Sequence, residues 1–261
     1  MLDPGFREFA GRLAKEAGGV LMRHYGTAEP HQWKLSNDFV TQADLACDRF
    51  ICEAIKKAFP EHSIFSEESG TSGSRSRYRW VVDPLDGTKV FSRKDLNGYF
   101  SVSIGLLEDG IPVAGAIYAP ARDELYIAEA GGGAMMNSAP IQAATEADPN
   151  RVIVGFDIGK FESWRTIDIV KKLLTGDAPV MSVHCYGASA MTLAATARGL
   201  LDAYVALTLE LEDMAAAVVI CREAGHRVTN GDGEEWSPGD RSIVVANPAI
   251  HRELMRRFAM R

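Results

Sequence analysis

The sequence predicts a mixed α+β/α/β protein in two parts, an α+β half over residues 1–140 and an α/β half over residues 141–261. Three observations carry this. Apolar residues recur at helical spacing between Phe6 and Phe59, strand-like segments alternate around turn signals between Tyr99 and Ala130, and beyond Pro140 strand-like and helical segments interleave.

The elements follow in order. Phe6, Phe9, Leu13, Ala17, Val20 and Leu21 define a first helix reaching His24, and a second starts at Thr41, buries Leu45, Cys52, Ile55 and Phe59, and stops at Pro60. Tyr99–Ile104, Pro112–Tyr118 and Glu124–Ala130 alternate around turns at Glu108-Asp109-Gly110 and Pro120-Ala121-Arg122-Asp123, which predicts an antiparallel meander. The Gly/Ser-rich piece Ser69–Ser76 reads as a mobile loop. After a boundary near Asn137 to Asn150, strands are expected at Arg151–Phe156, Val180–Cys185, Ala203–Leu207 and Ser242–Ala246. Helices are expected at Trp164–Leu174, Ser189–Leu200, Asp213–Ala224 and Pro248–Phe258. The apolar spacing around Met191 and Met214 suits a core or a subunit interface.

Composition narrows the function classes. At 46% hydrophobic and 24% charged the chain is ordinary globular protein. A formal charge of -7, with no basic run denser than Arg75-Ser76-Arg77-Tyr78-Arg79, argues against nucleic acid or an anionic membrane as partner. Cys47, Cys52, Cys185 and Cys221 have neither disulfide-framework nor zinc spacing and are expected as reduced core thiols. The start Met1-Leu2-Asp3-Pro4-Gly5 lacks a basic stretch before an apolar one, and no segment has the length of a membrane span, so the cytoplasm is expected.

The chemistry concentrates in Trp80-Val81-Val82-Asp83-Pro84-Leu85-Asp86-Gly87-Thr88, where two carboxylates stand three residues apart at the end of an apolar strand, before Gly-Thr. Such carboxylates repel unless a cation lies between them, and an all-oxygen donor set selects a hard ion such as Mg2+. Gly87 lets the backbone approach a ligand, so the Gly87 and Thr88 amides can meet anionic oxygens. Alone, the segment would read as a turn. A second acidic cluster, Ser66-Glu67-Glu68-Ser69-Gly70, ends another apolar run and shifts that balance. Asp44 has capping-box spacing from Thr41, and Asp213 begins a helix, so each taken singly reads as a helix-end residue.

With Glu67-Glu68-Ser69, Asp83 to Thr88, and Asp213-Met214-Ala215-Ala216 followed by Glu223-Ala224-Gly225, the chain resembles the inositol monophosphatase family of metal-dependent, lithium-sensitive phosphatases. The resemblance implies a layered αβαβα sandwich of the sugar-phosphatase type, a homodimer, and Mg2+-dependent hydrolysis of a small-molecule phosphate ester with two or three ions per site. It implies that Glu67, Asp83 and the Leu85 carbonyl hold one metal, and Asp83, Asp86 and Asp213 a second. It also implies that Thr88, oriented by Asp44, positions the attacking water while the Gly87 and Thr88 amides bind phosphate. Of the Glu67-Glu68 pair, placed at a strand end where successive side chains point to opposite sides, the first is assigned to metal. Lys34 and Asp38 match a segment that supports a third ion, or else form a solvated loop.

Two departures bear on the substrate. Ala206 and Glu212 stand where inositol-tuned members carry a glutamate and a tryptophan, and losing a hydroxyl acceptor weakens strict inositol selection. The segment Cys185-Tyr186-Gly187-Ala188-Ser189 matches the loop lining the alcohol pocket, with Ser189 either contacting substrate or capping the next helix. These substitutions are reminiscent of the prokaryotic branch that also accepts fructose 1,6-bisphosphate. A protein-binding regulator retaining the fold is the reading from another class, and a glycoside hydrolase using Glu67 and an aspartate leaves the Gly-Thr anion site without purpose. His24, His31, His62, His184, His226 and His251 form no metal-ligand pair, and Gly131-Gly132-Gly133 lacks nucleotide-loop spacing and reads as a turn.

Overall fold

A computed structural model describes residues 5–35, 38–93, 98–158, 163–175 and 178–259. Residues 1–4, on which the reading of the N-terminus partly rests, lie outside the described residues. The first periodic stretch forms α1 (Phe6–His24), burying Phe6, Ala10, Leu13, Ala17, Val20 and Leu21. A short antiparallel hairpin of β1 (Pro30–Leu35) and β2 (Asp38–Thr41) follows, in place of the loop considered for Lys34 to Asp38. β1 is exposed along its whole length and carries no apolar alternation to reveal it.

Thr41 caps α2 (Gln42–Ala58), its side chain accepting from the Ala43 amide while Asp44 accepts from the Thr41 amide at 2.9 Å. The buried stripe of α2 runs through Ala43, Cys47, Ile51 and Ile55, a spacing of four, so Leu45 and Phe59 are only half-buried.

The strands β3 (Ser63–Ser66), β4 (Gly70–Ser72), β5 (Tyr78–Asp86), β6 (Ser101–Glu108), β7 (Ile111–Ala119), β8 (Glu124–Glu129), β9 (Ala134–Met136) and β10 (Ala139–Pro140) form one eight-stranded sheet in the order β10-β9-β8-β7-β6-β5-β3-β4. β3 and β5 are parallel, and β5 through β10 form the antiparallel meander. Asp109 and Gly110 both take positive φ, the backbone of a tight hairpin turn between β6 and β7. β4 occupies part of the Ser69–Ser76 stretch expected as a mobile loop. A six-residue helix, α3 (Thr88–Arg93), leads away from β5.

A second sheet is built from β11 (Ile153–Phe156), β12 (Ser182–His184), β13 (Ala203–Ala206), β14 (Arg227–Thr229) and β15 (Ile243–Ala246), ordered β12-β11-β13-β15-β14. β12, β11 and β13 are parallel, and β15 and β14 complete the sheet antiparallel. The connecting helices are α4 (Ser163–Leu174), α5 (Ser189–Ala197), α6 (Leu211–Glu223) and α7 (Pro248–Ala259).

The layers stack as αβαβα. α1 and α2 cover one face of the large sheet, α5 and α6 lie between the two sheets, and α4 and α7 cover the far face of the small one. Met191 and Met214 are fully buried in the central layer, so their helices serve the core. Glycines set how closely that layer packs. Gly105 and Gly115 face each other across β6 and β7, and a Cβ at Gly115 would come within 2.4 Å of the Ala216 carbonyl oxygen. The backbone of α6 therefore lies directly on the sheet, which brings its first turn beside the end of β5.

Candidate active site

A regular strand would send residues three apart to opposite faces. In β5, Asp83 pairs with Ser103 but Asp86 with Ser101, so three steps on one strand match two on the other, and the bulge over Pro84-Leu85 turns both carboxylates the same way. Asp83 Oδ1 accepts from the Leu85 amide at 2.9 Å, which holds the bulge. Asp86 Oδ2 accepts from Ser101 Oγ at 3.0 Å and from the Met191 amide in the first turn of α5 at 2.9 Å. Asp213 arrives from α6 and accepts from the Glu210 amide at 2.9 Å in a capping box. That helix starts at Leu211, so Asp213 is its third residue and not its first, as the sequence suggested.

One carboxylate oxygen from each of Asp83, Asp86 and Asp213 lies within 4.8 Å of the others. Burial is the main cause that pushes Asp86 up to about 6, and it drives Asp83 and Asp213 well above the ordinary carboxylate range, with repulsion from neighbouring carboxylates adding to each. Mutual repulsion among these carboxylates is relieved by a hard divalent cation, which the all-oxygen donor set fits.

Thr88 sits just beyond. Its hydroxyl lies 3.1 Å from Asp44 Oδ1 and 3.1 Å from the Leu85 carbonyl oxygen. Asp44 has no exposed surface, and burial pushes its carboxyl up to about 6 against the hydrogen bonds from Thr41 and Thr88. Gly87 takes φ 86°, and a Cβ there would meet the Ala188 Cβ at 2.9 Å, so the Gly87-Thr88 backbone turns in a way that excludes side chains.

Glu67 and Glu68 occupy the turn between β3 and β4 and not a strand. The expected divergence of their side chains is therefore corrected: both reach Lys34 Nζ, Glu67 at 3.2 Å and Glu68 at 2.6 Å. Burial pushes Glu68 up to about 7 despite that lysine. The turn is clamped from beneath by Asp48, which accepts from Ser66 Oγ at its start and from Ser69 Oγ at 3.3 Å at its end.

A cleft of about 270 Å³ collects these groups. Glu67, Asp83, Leu85, Asp86, Gly87, Thr88, Ser189 and Asp213 all line it, Asp38 enters from β2, and Asp44 stands behind Thr88. On the far wall Cys185, after β12, belongs to the segment expected to line the alcohol pocket, whereas Asp157 after β11 and Thr208, Leu209 and Glu210 after β13 were not selected from the sequence. They stand at the carboxyl ends of parallel strands, the usual ligand edge of an α/β sheet, and that position was the signal available for Asp157. Ser189 does not cap α5, whose N-cap is Ala188; its hydroxyl instead donates to Asp157 Oδ2 at 3.1 Å. Ala206 and Glu212, from which altered specificity was read, are buried beside the cleft and do not line it.

Cys185 is exposed, unlike the buried Cys47, Cys52 and Cys221, which corrects the expectation of four core thiols. Among the described residues no histidine joins a metal-ligating group. His62 stacks on Phe59, and burial holds His226 down to about 4. The Gly131 and Gly133 amides donate to the Glu223 carboxylate, each at 2.8 Å, in a turn between β8 and β9. Among the described residues no helix is long and apolar enough to cross a membrane.

Fold and site together define a five-layered α/β protein with a carboxylate cage at the seam between its two sheets. The profile of the inositol monophosphatase family matches residues 5–260, and the chain belongs to that family. It is 36% identical over 250 residues to the inositol-1-monophosphatase of Mesorhizobium japonicum, covering 94% of this chain and 92% of that protein. It is 34% identical over 251 residues to the Nus factor SuhB of Escherichia coli, with the same two coverages of 94% and 92%. The crystal structure of the extragenic suppressor protein SuhB from Bartonella henselae superposes with a TM-score of 0.90 at 30% identity, over 97% of this chain and 98% of that one.

Proposed function

We propose that the protein is a Mg2+-dependent phosphomonoesterase that hydrolyses inositol monophosphate or a related polyol or sugar phosphate with water as nucleophile. The observation that carries this is the grouping of Asp83, Asp86 and Asp213 within 4.8 Å, next to a Thr88 hydroxyl backed by the buried Asp44. In this reading Glu67, Asp83, the Leu85 carbonyl, Asp86 and Asp213 hold the metal. A divalent ion there supplies Lewis acidity, neutralising phosphate charge and acidifying water.

The chain's own groups supply the rest. The Gly87 and Thr88 amides orient the phosphate oxygens. The Thr88 hydroxyl fixes the water and takes its proton while passing its own to Asp44, whose carboxyl, raised to about 6 by burial, is near the useful range for a base at neutral pH. The water oxygen attacks phosphorus in line, the ester P–O bond breaks, and its electron pair leaves with the alcohol oxygen, which is protonated by solvent.

Fructose 1,6-bisphosphate is the alternative substrate, and the reading includes a cytoplasmic homodimer. The relative described as a Nus factor supports a second reading, a protein-binding regulator that retains the fold; the expectation of no nucleic-acid partner rests on net charge and the lack of a dense basic run. Phosphate release from inositol monophosphate with and without Mg2+ tests the choice. Metal-dependent turnover is expected, and no release from any phosphorylated metabolite would transfer the weight to the regulator.

A further inference from the structure

The cleft has two chemically distinct walls. On the large-sheet side lie the carboxylate cage and the Gly87-Thr88 backbone; on the small-sheet side, the group that stands out is Asp157. Asp157 follows β11 directly, and Ser189 at the start of α5 orients it by donating to Oδ2 at 3.1 Å. Burial pushes its carboxyl up, and among the described residues it makes no salt bridge, although the Lys89 charge acts on it from across the cleft. Beside it Tyr204, fully buried, brings its hydroxyl up to Asp157 and Ser189. A desolvated carboxylate on the wall of the cleft, met by neutral donors and with no salt-bridge partner among the described residues, is placed to accept a further donor from a ligand.

Resting on the phosphatase reading, we propose that Asp157 is the hydroxyl acceptor of the alcohol pocket. It makes the substrate a phosphate ester of a polyhydroxy alcohol whose free hydroxyl reaches Asp157 while its phosphate lies at Gly87-Thr88. A site built to accept a substrate hydroxyl discriminates against esters lacking one, because the buried acceptor is then left unpaired.

The test compares wild type, Asp157→Asn and Ser189→Ala in Mg2+ on inositol monophosphate, β-glycerophosphate and p-nitrophenyl phosphate, the last having no alcohol hydroxyl. For Asp157→Asn the ratio of kcat/KM on the polyol esters to that on p-nitrophenyl phosphate is expected to fall about tenfold or more, mainly through KM, with a smaller fall in the same direction for Ser189→Ala. An unchanged ratio overturns the proposal, whether both activities persist or both are lost together. Equal loss accompanied by a raised Mg2+ requirement would place Asp157 among the metal-holding groups instead. A wild type that cleaves p-nitrophenyl phosphate but no polyol ester overturns it too. A wild type that cleaves none of the three overturns the phosphatase reading itself, and this inference with it.

Discussion

The Thr88 hydroxyl donates to Asp44 Oδ1 across 3.1 Å, joining the mouth of the cleft to a carboxylate with no solvent exposure. Asp44 therefore does more than cap α2: one of its oxygens holds the Thr41 amide and the other faces Thr88. Thr88→Ala and Asp44→Asn are expected to lower kcat by about two to four orders of magnitude with a much smaller change in KM. Thr88→Ser should recover most of the loss. Steady-state kinetics of the three variants checks this, and a Thr88→Ala enzyme within about twofold of wild type would remove Thr88 from the chemistry.

Metal binding should depend on pH in a direction set by the cage. Asp44 and Asp86 are raised to about 6, and Asp83 and Asp213 are raised well above the ordinary carboxylate range, all above the unfolded value near 4. The metal-free native state thus binds more protons than the unfolded chain above about pH 4, and these groups cost stability as pH rises through 4 to 6 and beyond. His226 and His251, both lowered to about 4, act oppositely between about pH 4 and 6.5. Their contribution cancels when Tm is compared with and without Mg2+ at one pH. The Mg2+-induced rise in Tm is expected to be larger at about pH 8 than at about pH 5. Thermal melts across that range test it, and a rise that is flat or larger in acid would count against a carboxylate cage.

The close approach of α6 makes Gly115 a structural determinant of the site. A Cβ there meets the Ala216 carbonyl oxygen at 2.4 Å and the Ala216 Cα at 2.9 Å, both backbone atoms that cannot swing away. Gly115→Ala is expected to destabilise the fold by about 1–3 kcal/mol and to raise the Mg2+ concentration for half-maximal activity, because α6 carries Asp213. Chemical denaturation and a Mg2+ titration measure the two effects. A fully stable variant would show that the helix is not pressed on the sheet.

Asp48 clamps both ends of the turn that carries Glu67, through Ser66 and Ser69. Asp48→Ala removes the one oxygen that accepts from both hydroxyls. It should weaken Mg2+ binding by about tenfold while leaving inositol monophosphate KM at saturating Mg2+ nearly unchanged. Calorimetric titration with Mg2+ is the check, and unchanged affinity would make the clamp irrelevant to the site.

Much of this was legible in the sequence, for physical reasons. Long amphipathic stretches such as Phe6–His24 announce themselves by period, and the meander by its turn residues. Asp83, Asp86 and Asp213, each with a plain turn or helix-end reading when taken singly, stood out only as a set of acidic segments in a family-like order. β1 is too polar and β14 too short for an alternating pattern to stand out. The convergence of Glu67 and Glu68 on Lys34 depends on their lying in a turn, which strand geometry misjudged. Asp157, Asp48 and the true position of Ser189 are products of tertiary packing: each is defined by a partner far away in the chain, and spacing alone says nothing about it.

The most direct test of the carboxylate cage is phosphate release from inositol monophosphate by wild type, Asp86→Asn and Asp213→Asn, with Mg2+ titrated and with Mg2+ chelated. Asparagine keeps an acceptor for Ser101 and Met191 at one position and for the Glu210 amide at the other, so folding is preserved while one charge leaves the cage. Wild-type turnover is expected to require Mg2+, and each variant to lose about two or more orders of magnitude. Turnover that persists without metal, or near-normal activity in either variant, would contradict the account.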